Sequence, residues 1–179
     1  MEALKHTLKN GGALVIRDAA VADAGAILDY VDVTCGQSDF FSFGPGEFEL
    51  SVSDEEEFIR GSLEADNQLF IVGSIDDTIV STLHLTANSR PRTRHCGEFG
   101  ISVHQEYWGL GIGSMMLDAL IDWATNTQIV TKINLRVRTD NDRAISLYER
   151  KGFVNEGTIR REIFIDGQYF DHHWMGLEL

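Results

Sequence analysis

Three glycines at alternate positions, Gly109, Gly111 and Gly113, separate a run of alternating apolar residues from a run with helical spacing. The first run covers Glu98 to Val103, and the second reaches Leu120. This order predicts a strand, a glycine loop and a helix. Glycine lets backbone N–H groups approach a ligand, and a helix start adds roughly half a positive charge. The loop is therefore predicted to bind an anion, with phosphate as the best fit.

The residues around these glycines exclude two common phosphate loops. A P-loop needs Gly-Lys followed by Ser or Thr, whereas Gly113 is followed by Ser114 and Met115. A dinucleotide fingerprint needs G-x-G-x-x-G, and the G-L-G-I-G-S found here has a different spacing. For the glycines alone, a tight turn without a ligand stays the alternative.

A second block runs from Asn134 to Phe153 and reads N-L-R-V-R-T-D-N-D-R-A-I-S-L-Y-E-R-K-G-F. It predicts a strand, a helix that begins near Asn141 and a helix end at Gly152. Tyr148 lies on this helix. A phenol with an ordinary pKa of about 10 keeps its proton at neutral pH, so it can donate that proton to a leaving group.

Together the two blocks resemble the GNAT superfamily of N-acetyltransferases. That pattern has a strand, then R/Q-G-x-G-x-G/A opening a helix, then a strand and N-x-x-A-x-x-x-Y-x-x-x-G-F. The positions in register here are Asn141, Ala144, Tyr148, Gly152 and Phe153, together with Gly109, Gly111 and Gly113. The resemblance covers roughly residues 98–153, the implied cofactor-binding core. It implies a single α/β domain over residues 1–179, with a mixed, mostly antiparallel central sheet of about six or seven strands flanked by about four helices.

One position departs from the family pattern. Trp108 stands where the family usually has Arg or Gln, a side chain that commonly helps to hold the pyrophosphate, so the loop amides must carry more of that binding. The resemblance also implies that the backbone of the preceding strand hydrogen-bonds the pantetheine arm. The residues it implies for acetyl-CoA binding are Ile101, Ser102, Val103, Trp108, Gly109, Leu110, Gly111, Ile112, Gly113, Ser114, Asn141, Arg143, Ala144 and Tyr148.

Acetyl transfer from a thioester to an amine needs a neutral nucleophile, a stabilised oxyanion and a proton for the departing thiolate. A lysine-like amine is neutral about once in 2,500 molecules at pH 7, a handicap of about 4.6 kcal/mol. Glu98 resembles the glutamate that some GNAT branches use as a base, and a surface or salt-bridged carboxylate is the alternative. Tyr148 is the predicted acid, and a packed tyrosine with a bonded hydroxyl is the alternative.

An aromatic segment is predicted to cover the acceptor site. Phe40, Phe41 and Phe43 lie within four residues and precede Gly44-Pro45-Gly46, a composition that does not continue a helix. We expect a loop in which Phe40 and Phe41 bind the substrate. Packing of these rings into the core is the alternative.

The remaining elements follow from periodicity and capping signals. Residues 1–12 have no clear period and predict a loose terminus. A helix over 18–33 has Asp18 as its predicted cap, and a second begins with the capping box Ser53 to Glu56, reaches Ala65 and turns Phe58, Ile59 and Leu63 inward. Predicted strands cover 13–17, 68–75, 78–87, the run into Glu98, 132–139, 154–165 and 168–179.

The length and the net charge of the chain limit the kinds of partner that we expect. A chain of 179 residues that is 43% hydrophobic suits one core, and a net charge of -13 argues against nucleic acid. Residues 1–90 hold 16 acidic and 5 basic side chains (net -11), whereas 91–179 hold 12 and 10 (net -2). This asymmetry predicts an acidic wall that attracts a cationic amine. A solvated acidic surface is the alternative.

Several classes are not expected. Cys35 and Cys96 have no metal or disulfide spacing, and no leader opens the chain, so we expect a cytoplasmic protein with free thiols. No apolar run approaches the roughly 18 residues of a membrane span. Adjacent strand residues point to opposite faces, so Asp171, His172 and His173 are not interpreted as a metal site.

The sequence therefore predicts an N-acetyltransferase that moves an acetyl group from acetyl-CoA to a primary amine, either polyamine-like or on a protein, by direct attack. No Cys or Ser lies in an activated-nucleophile setting, so no covalent enzyme intermediate is expected. The alternatives are a non-catalytic CoA-binding regulatory module and a non-GNAT nucleotide-binding enzyme. A homodimer is compatible with this prediction.

Overall fold

One sheet of eight strands forms the centre of the molecule, and the computed structural model describes residues 1–179. The strands are β1 Leu4–Thr7, β2 Ala13–Asp18, β3 Leu69–Ile75, β4 Thr78–Ala87, β5 Cys96–Val103, β6 Lys132–Arg138, β7 Val154–Ile165 and β8 Gln168–Glu178. The helices are α1 Ala24–Cys35, α2 Val52–Glu64, α3 Ile112–Thr127 and α4 Asp142–Arg150. The strand order is β1-β2-β3-β4-β5-β6-β8-β7. Every neighbouring pair is antiparallel except β5 and β6, so the predicted mixed sheet is confirmed.

The sequence analysis missed β1. This strand lies within residues 1–12, which were predicted to be loose, and it pairs with β2. Four residues are too few for a periodic pattern to emerge, but the turn behind them is well defined. Gly11 adopts a φ of +85°, and the amide of Leu8 donates to the carbonyl of Gly12 at 2.8 Å. Leu8 is buried as a result. The turn thus fastens the N-terminal residues to the sheet edge.

The first helix begins later than predicted, at Ala24, after a short 3-10 turn over Val21–Asp23. Asp18 does not cap it, because β2 continues through Asp18 and its carboxylate pairs with the N-terminal amine of Met1. No side chain caps α1, and the Asp23 carboxylate accepts from the amide of Ala20 at 2.7 Å, at the start of the 3-10 turn.

The second helix has its capping box two residues earlier than predicted. Ser51 accepts from the amide of Asp54 at 3.2 Å, and the Asp54 carboxylate accepts from the amide of Ser51 at 3.0 Å. The inward face is also narrower than expected. Ile59 is fully buried, whereas Phe58 and Leu63 are 39% and 51% exposed.

Two buried clusters lie on the two faces of the sheet. The larger joins α3 and α4 to residues such as Leu83, Phe99 and Leu135, and the smaller joins α1 and α2 to residues such as Phe70 and Val72. The helices therefore cover the sheet from both sides and leave a gap along the middle strands. None of the helices is long and apolar enough to cross a membrane.

That gap arises where β5 and β6 separate. Their parallel pairing covers Cys96, Gly97 and Glu98, opposite Lys132 to Asn134, and it ends there. Beyond Glu98, β5 stays paired with β4 as far as Val103, while β6 stays paired with β8 as far as Arg138. The two central strands thus diverge like a V.

Candidate active site

A cleft of about 1670 Å³ lies in this V and extends over both faces of the sheet. It exceeds the roughly 300–1,000 Å³ of most small-molecule pockets, so it has room for a large co-substrate and an acceptor together. Every residue that the sequence selected for catalysis, cofactor binding or substrate binding lines this cleft. The structure therefore brings them together, and their individual roles stay predictions.

The glycine loop presents free amides to the cleft. Gly109 and Gly111 have φ values of +84° and +93°, a left-handed backbone that favours glycine. The first helical bond of α3 runs from the amide of Met115 to the carbonyl of Gly111 at 3.1 Å, and no side chain caps the helix. The amides of residues 112–114 thus have no helical acceptor, which is the arrangement that binds anions.

The preceding strand is held from both sides by side chains. The carbonyl of Ser102 accepts from the Ser81 hydroxyl at 2.7 Å, and the Ser102 hydroxyl lies 2.9 Å from the Tyr30 hydroxyl. The carbonyl of Val103 accepts from Nε1 of Trp108 at 2.7 Å. These bonds fix the rim of β5 on which the predicted pantetheine contacts lie.

Trp108 also positions a cation. The guanidinium of Arg143, in the first turn of α4, lies 4.8 Å from the centroid of the Trp108 ring. Arginine stacks well on aromatic faces and keeps its charge at all physiological pH values. The arrangement therefore places a positive charge beside the glycine loop, although Trp108 itself supplies none. Asn141 opens the same helix, and its side chain accepts from the amide of Ala144 at 3.2 Å.

Tyr148 is packed in the core but its hydroxyl makes no hydrogen bond within the chain. Its ring is 8% exposed and packs edge-on against Phe99, at 5.9 Å between centroids, and against Phe153. Burial raises the pKa of this phenol above its ordinary value. The hydroxyl thus stays protonated, and it is free to donate into the cleft that Tyr148 lines.

Glu98 is ion-paired. Its carboxylate accepts from Nε of Arg136 at 2.7 Å, and Nη1 of the same arginine donates to Glu162 at 2.7 Å. Arg136 therefore bridges two carboxylates that are 64 positions apart in the chain, since Glu98 precedes Glu162 by that interval. The predicted base must give up part of this pairing before it can take a proton.

Two histidines that the sequence analysis did not select also line the cleft, His84 on β4 and His172 on β8. His84 is exposed to the open cleft, but the protein around it desolvates the imidazole and lowers its pKa, with Glu98 opposing, so the ring is neutral near pH 7. Burial also lowers the pKa of His172. The alternation of β4, which puts His84 on its polar side, was the available signal for the first. His172 lies in the segment Asp171-His172-His173, which the sequence analysis weighed only as a metal site.

The aromatic loop between α1 and α2 is fastened over the cleft by Arg138. This arginine is only 6% exposed and is held by the carboxylate of Asp140 at 2.7 Å and by the carbonyl of Asp39 at 2.8 Å. Its guanidinium lies 4.9 Å from the ring centroid of Phe40 and 3.7 Å from that of Phe170. A buried cation between two rings thus connects the loop to the sheet.

The rest of the loop packs on itself and not into the core. Phe41 contacts Phe43, and Phe43 contacts Phe48, with centroids 5.6 and 4.8 Å apart. None of the three belongs to either buried cluster. Among the 16 acidic residues of positions 1–90, Glu55 alone lines the cleft. Most of the acidic excess is therefore surface charge away from the site.

Comparison with known proteins identifies the family. The model of the Acetyltransferase (GNAT) family matches residues 37–153. A crystal structure of a GNAT-family acetyltransferase from Streptococcus pneumoniae is 31% identical, with a TM-score of 0.90 over 93% of this chain and 99% of that one. This chain belongs to the GNAT family of acetyltransferases.

Two further proteins are similar over different extents. The L-amino acid N-acetyltransferase AaaT of Escherichia coli is 33% identical over 105 residues, which is 59% of this chain and 65% of that relative. The yncA protein of Salmonella typhimurium, solved with its cofactor acetyl-CoA, shares the fold, with a TM-score of 0.81 at 18% identity over 92% of this chain and 93% of that one. The matched segment thus covers just under two thirds of the curated relative, so the acceptor does not follow from the comparison.

Proposed function

We propose that this protein acetylates a primary amine with acetyl-CoA by direct attack in the V between β5 and β6. The observation that carries the proposal is the presence, in one cleft, of the uncapped amides at the start of α3 and the unbonded hydroxyl of Tyr148. The first can hold a pyrophosphate and the second can protonate a thiolate. Family membership removes the non-GNAT nucleotide-binding alternative.

The glycine loop and the free amides at the start of α3 fit a phosphate-bearing co-substrate. A Cβ added at Gly109 would meet no atom within 4 Å, so open space faces the loop. The amides of residues 112–114 would bind the pyrophosphate, and Arg143 would add the charge that Trp108 does not provide. The acetyl thioester supplies the group that is transferred. The residues of this chain orient it and accept or donate protons around it.

Proton removal from the acceptor has two candidates on one face of the sheet. His84 pairs in register with Gly100, and Glu98 pairs with Thr86, so both side chains lie on the face opposite Tyr148. Glu98 is occupied by Arg136, whereas His84 is neutral and makes no hydrogen bond within the chain. We assign the removal of the acceptor's proton to His84, and Glu98 is the second candidate. Either group can act through a water molecule.

The leaving sulfur receives its proton from Tyr148. Burial raises the pKa of this phenol, so it keeps its proton in the resting protein. The same burial disfavours a free thiolate, so the proton moves to the sulfur as the C–S bond breaks. The tyrosine then regains its proton from solvent through the cleft. No protein nucleophile is used.

The test is a thiol-release assay with acetyl-CoA across amino acids, polyamines, aminoglycosides and peptides with free N-termini. Turnover of at least one amine that depends on Tyr148 supports the proposal. A non-catalytic CoA-binding module would be stabilised by acetyl-CoA and would turn over none of them. That result would refute the proposed function.

A further inference from the structure

Four buried side-chain atoms have no hydrogen-bond partner in this protein, and two of them belong to residues that line the cleft. The four are Nε2 of His6, Oδ1 of Asn134, Oε2 of Glu162 and Nδ1 of His172. Glu162 and His172 line the cleft, whereas His6 and Asn134 do not. Buried polar atoms are nearly always paired, so two unpaired atoms on the neighbouring strands β7 and β8, both beside the cleft, indicate that a ligand group completes them.

The backbone of β7 is distorted in a way that places Glu162. The register between β7 and β8 shifts between Ile159 and Ile163, and Arg161 adopts a φ of +57°. The amide of Arg161 is held by the carboxylate of Asp171 at 2.8 Å. Irregularities of this kind redirect a side chain and are frequent beside active sites, and a non-glycine residue in the left-handed region is uncommon.

The chemistry of the two orphan atoms defines their missing partner. Oε1 of Glu162 is occupied by Arg136, so Oε2 is left as a carboxylate acceptor. His172 is 6% exposed, and burial, together with Arg136 and Arg138, lowers its pKa, against Glu162 and Asp140. A neutral imidazole offers one nitrogen as an acceptor. We assign that acceptor to Nδ1 of His172. A carboxylate oxygen and an imidazole nitrogen that both accept fit a group that has several donors and no acceptor, which is an ammonium.

The local charge agrees with this reading. Glu98 and Glu162 share the single positive charge of Arg136, and Arg138 is neutralised by Asp140. These three carboxylates and two guanidiniums therefore carry one negative charge in excess. One additional cation balances it. The terminal torsion of a glutamate is broad, so the carboxylate can turn toward an entering group without moving the strand.

The orphan pair lies on β7 and β8, which follow β6 on the side of the sheet away from β5, whereas Glu98 lies on β5. Arg136 of β6 donates a 2.7 Å hydrogen bond to each of Glu98 and Glu162, so an amine bound at Glu162 lies one guanidinium away from Glu98. We propose that Glu162 and His172 bind a second, non-reacting ammonium group of the acceptor, so that the preferred acceptor is a diamine-type molecule. This inference rests on the proposed acetyl transfer and names the acceptor class for it.

The experiment compares terminal diamines, from putrescine to diaminoheptane, with the monoamine of the same chain length and with aminoheptanol. In the parent protein at least one diamine should have a KM about tenfold below that of its monoamine, because a charge-assisted hydrogen bond is lost without the second ammonium. Glu162→Gln should abolish that advantage and leave the KM for acetyl-CoA unchanged. His172→Phe, which keeps a ring but removes both nitrogens, should reduce the advantage.

The control is Glu156→Gln, which removes the same charge from the same strand. Glu156 pairs with Lys132 and does not line the cleft, so this variant should keep the diamine preference. Melting temperatures of all variants establish that they are folded. A thermal-shift titration of the CoA-loaded protein with each amine provides a second readout that does not need turnover.

Each combination of results decides the matter. Turnover with equal KM for diamine and monoamine, or a preference that survives Glu162→Gln, overturns the inference and keeps the acetyltransferase. Binding of diamines that Glu162→Gln removes, without turnover of any amine, supports the site and overturns the proposed function. If the protein neither turns over any amine nor binds diamines, both the inference and the proposed function are overturned.

Discussion

The guanidinium of Arg143 and the indole ring of Trp108 are stacked, with 4.8 Å between the Cζ atom and the ring centroid. The ring is itself fixed, because its Nε1 donates to the carbonyl of Val103 at 2.7 Å. Trp108 thus orients a cation that lies 35 positions later in the chain. We infer that Arg143 takes over the pyrophosphate contact that Arg or Gln usually makes at the position of Trp108.

This stacking predicts a cofactor defect for Arg143→Gln. We expect the Kd for acetyl-CoA to rise about tenfold, since an exposed charge-assisted contact to phosphate contributes roughly 1.4 kcal/mol. Trp108→Phe keeps an aromatic face and should give a smaller rise. Isothermal titration calorimetry measures both, and Arg160→Gln, an exposed arginine of β7 outside the cleft, is the control. Equal affinities for Arg143→Gln and the parent would remove Arg143 from the phosphate site.

The glycine loop allows a matched pair of variants. Gly109 and Gly11 have φ values of +84° and +85°, and at neither would a Cβ meet an atom within 4 Å. Replacing either by Ala should therefore cost about 1 kcal/mol of unfolding free energy from backbone strain. Only Gly109→Ala should also lose stabilisation by acetyl-CoA, which is about 2.7 kcal/mol at a hundredfold excess over Kd in the parent. Identical ligand-induced shifts in the two variants would place the loop outside the binding site.

Tyr148→Phe should lower kcat by about ten- to a thousandfold, on the order of 1.4 to 4 kcal/mol in the barrier. Its hydroxyl makes no hydrogen bond within the chain, so the melting temperature and the affinity for acetyl-CoA should stay close to the parent values. Steady-state kinetics with the best acceptor and a thermal melt provide the comparison. Unchanged kcat would show that water or another group protonates the sulfur.

The pH profile should identify the base. Desolvation by the surrounding protein lowers the pKa of His84, so the imidazole is neutral above a value that lies below the ordinary 6.5. In the parent, kcat/KM should fall as the pH decreases through that lowered value, and His84→Gln should remove this limb and lower the plateau. Glu98→Gln should retain it. A limb that disappears only in Glu98→Gln would transfer the role to the carboxylate.

The same histidine links stability to pH. A group whose folded pKa is lowered binds fewer protons when folded than when unfolded, so stability rises with pH across the window between the two values. Below pH 6.5 the parent should therefore lose unfolding free energy as His84 and His172 resist protonation. Denaturant melts from pH 7 to pH 5 measure the slope. His84→Gln should make it shallower, and an unchanged slope would contradict the burial argument.

Local signals were sufficient for the parts of the site that lie close together in the chain. The glycine loop at residues 109–113 and the start of α4 near Asn141 depend on a few neighbouring residues, and the structure has a loop and a helix start at these places. Local signals failed where a tertiary contact changed the outcome. The carboxylate of Asp18 pairs with the N-terminal amine and does not cap the helix as predicted, and β1 is a strand because it pairs with β2.

The sequence by itself determined the order of strand, glycine loop and helix, because periodicity and glycine conformation act over a few residues. Only the tertiary structure decided which charges are paired. Arg136 meets Glu98 and Glu162 because β5, β6 and β7 come together with β8 in one sheet, at separations of 38 and 26 residues. That assembly occupies the predicted base, makes two histidines neutral and leaves two buried acceptors for a ligand, since burial and pairing depend on neighbours that are distant in the chain.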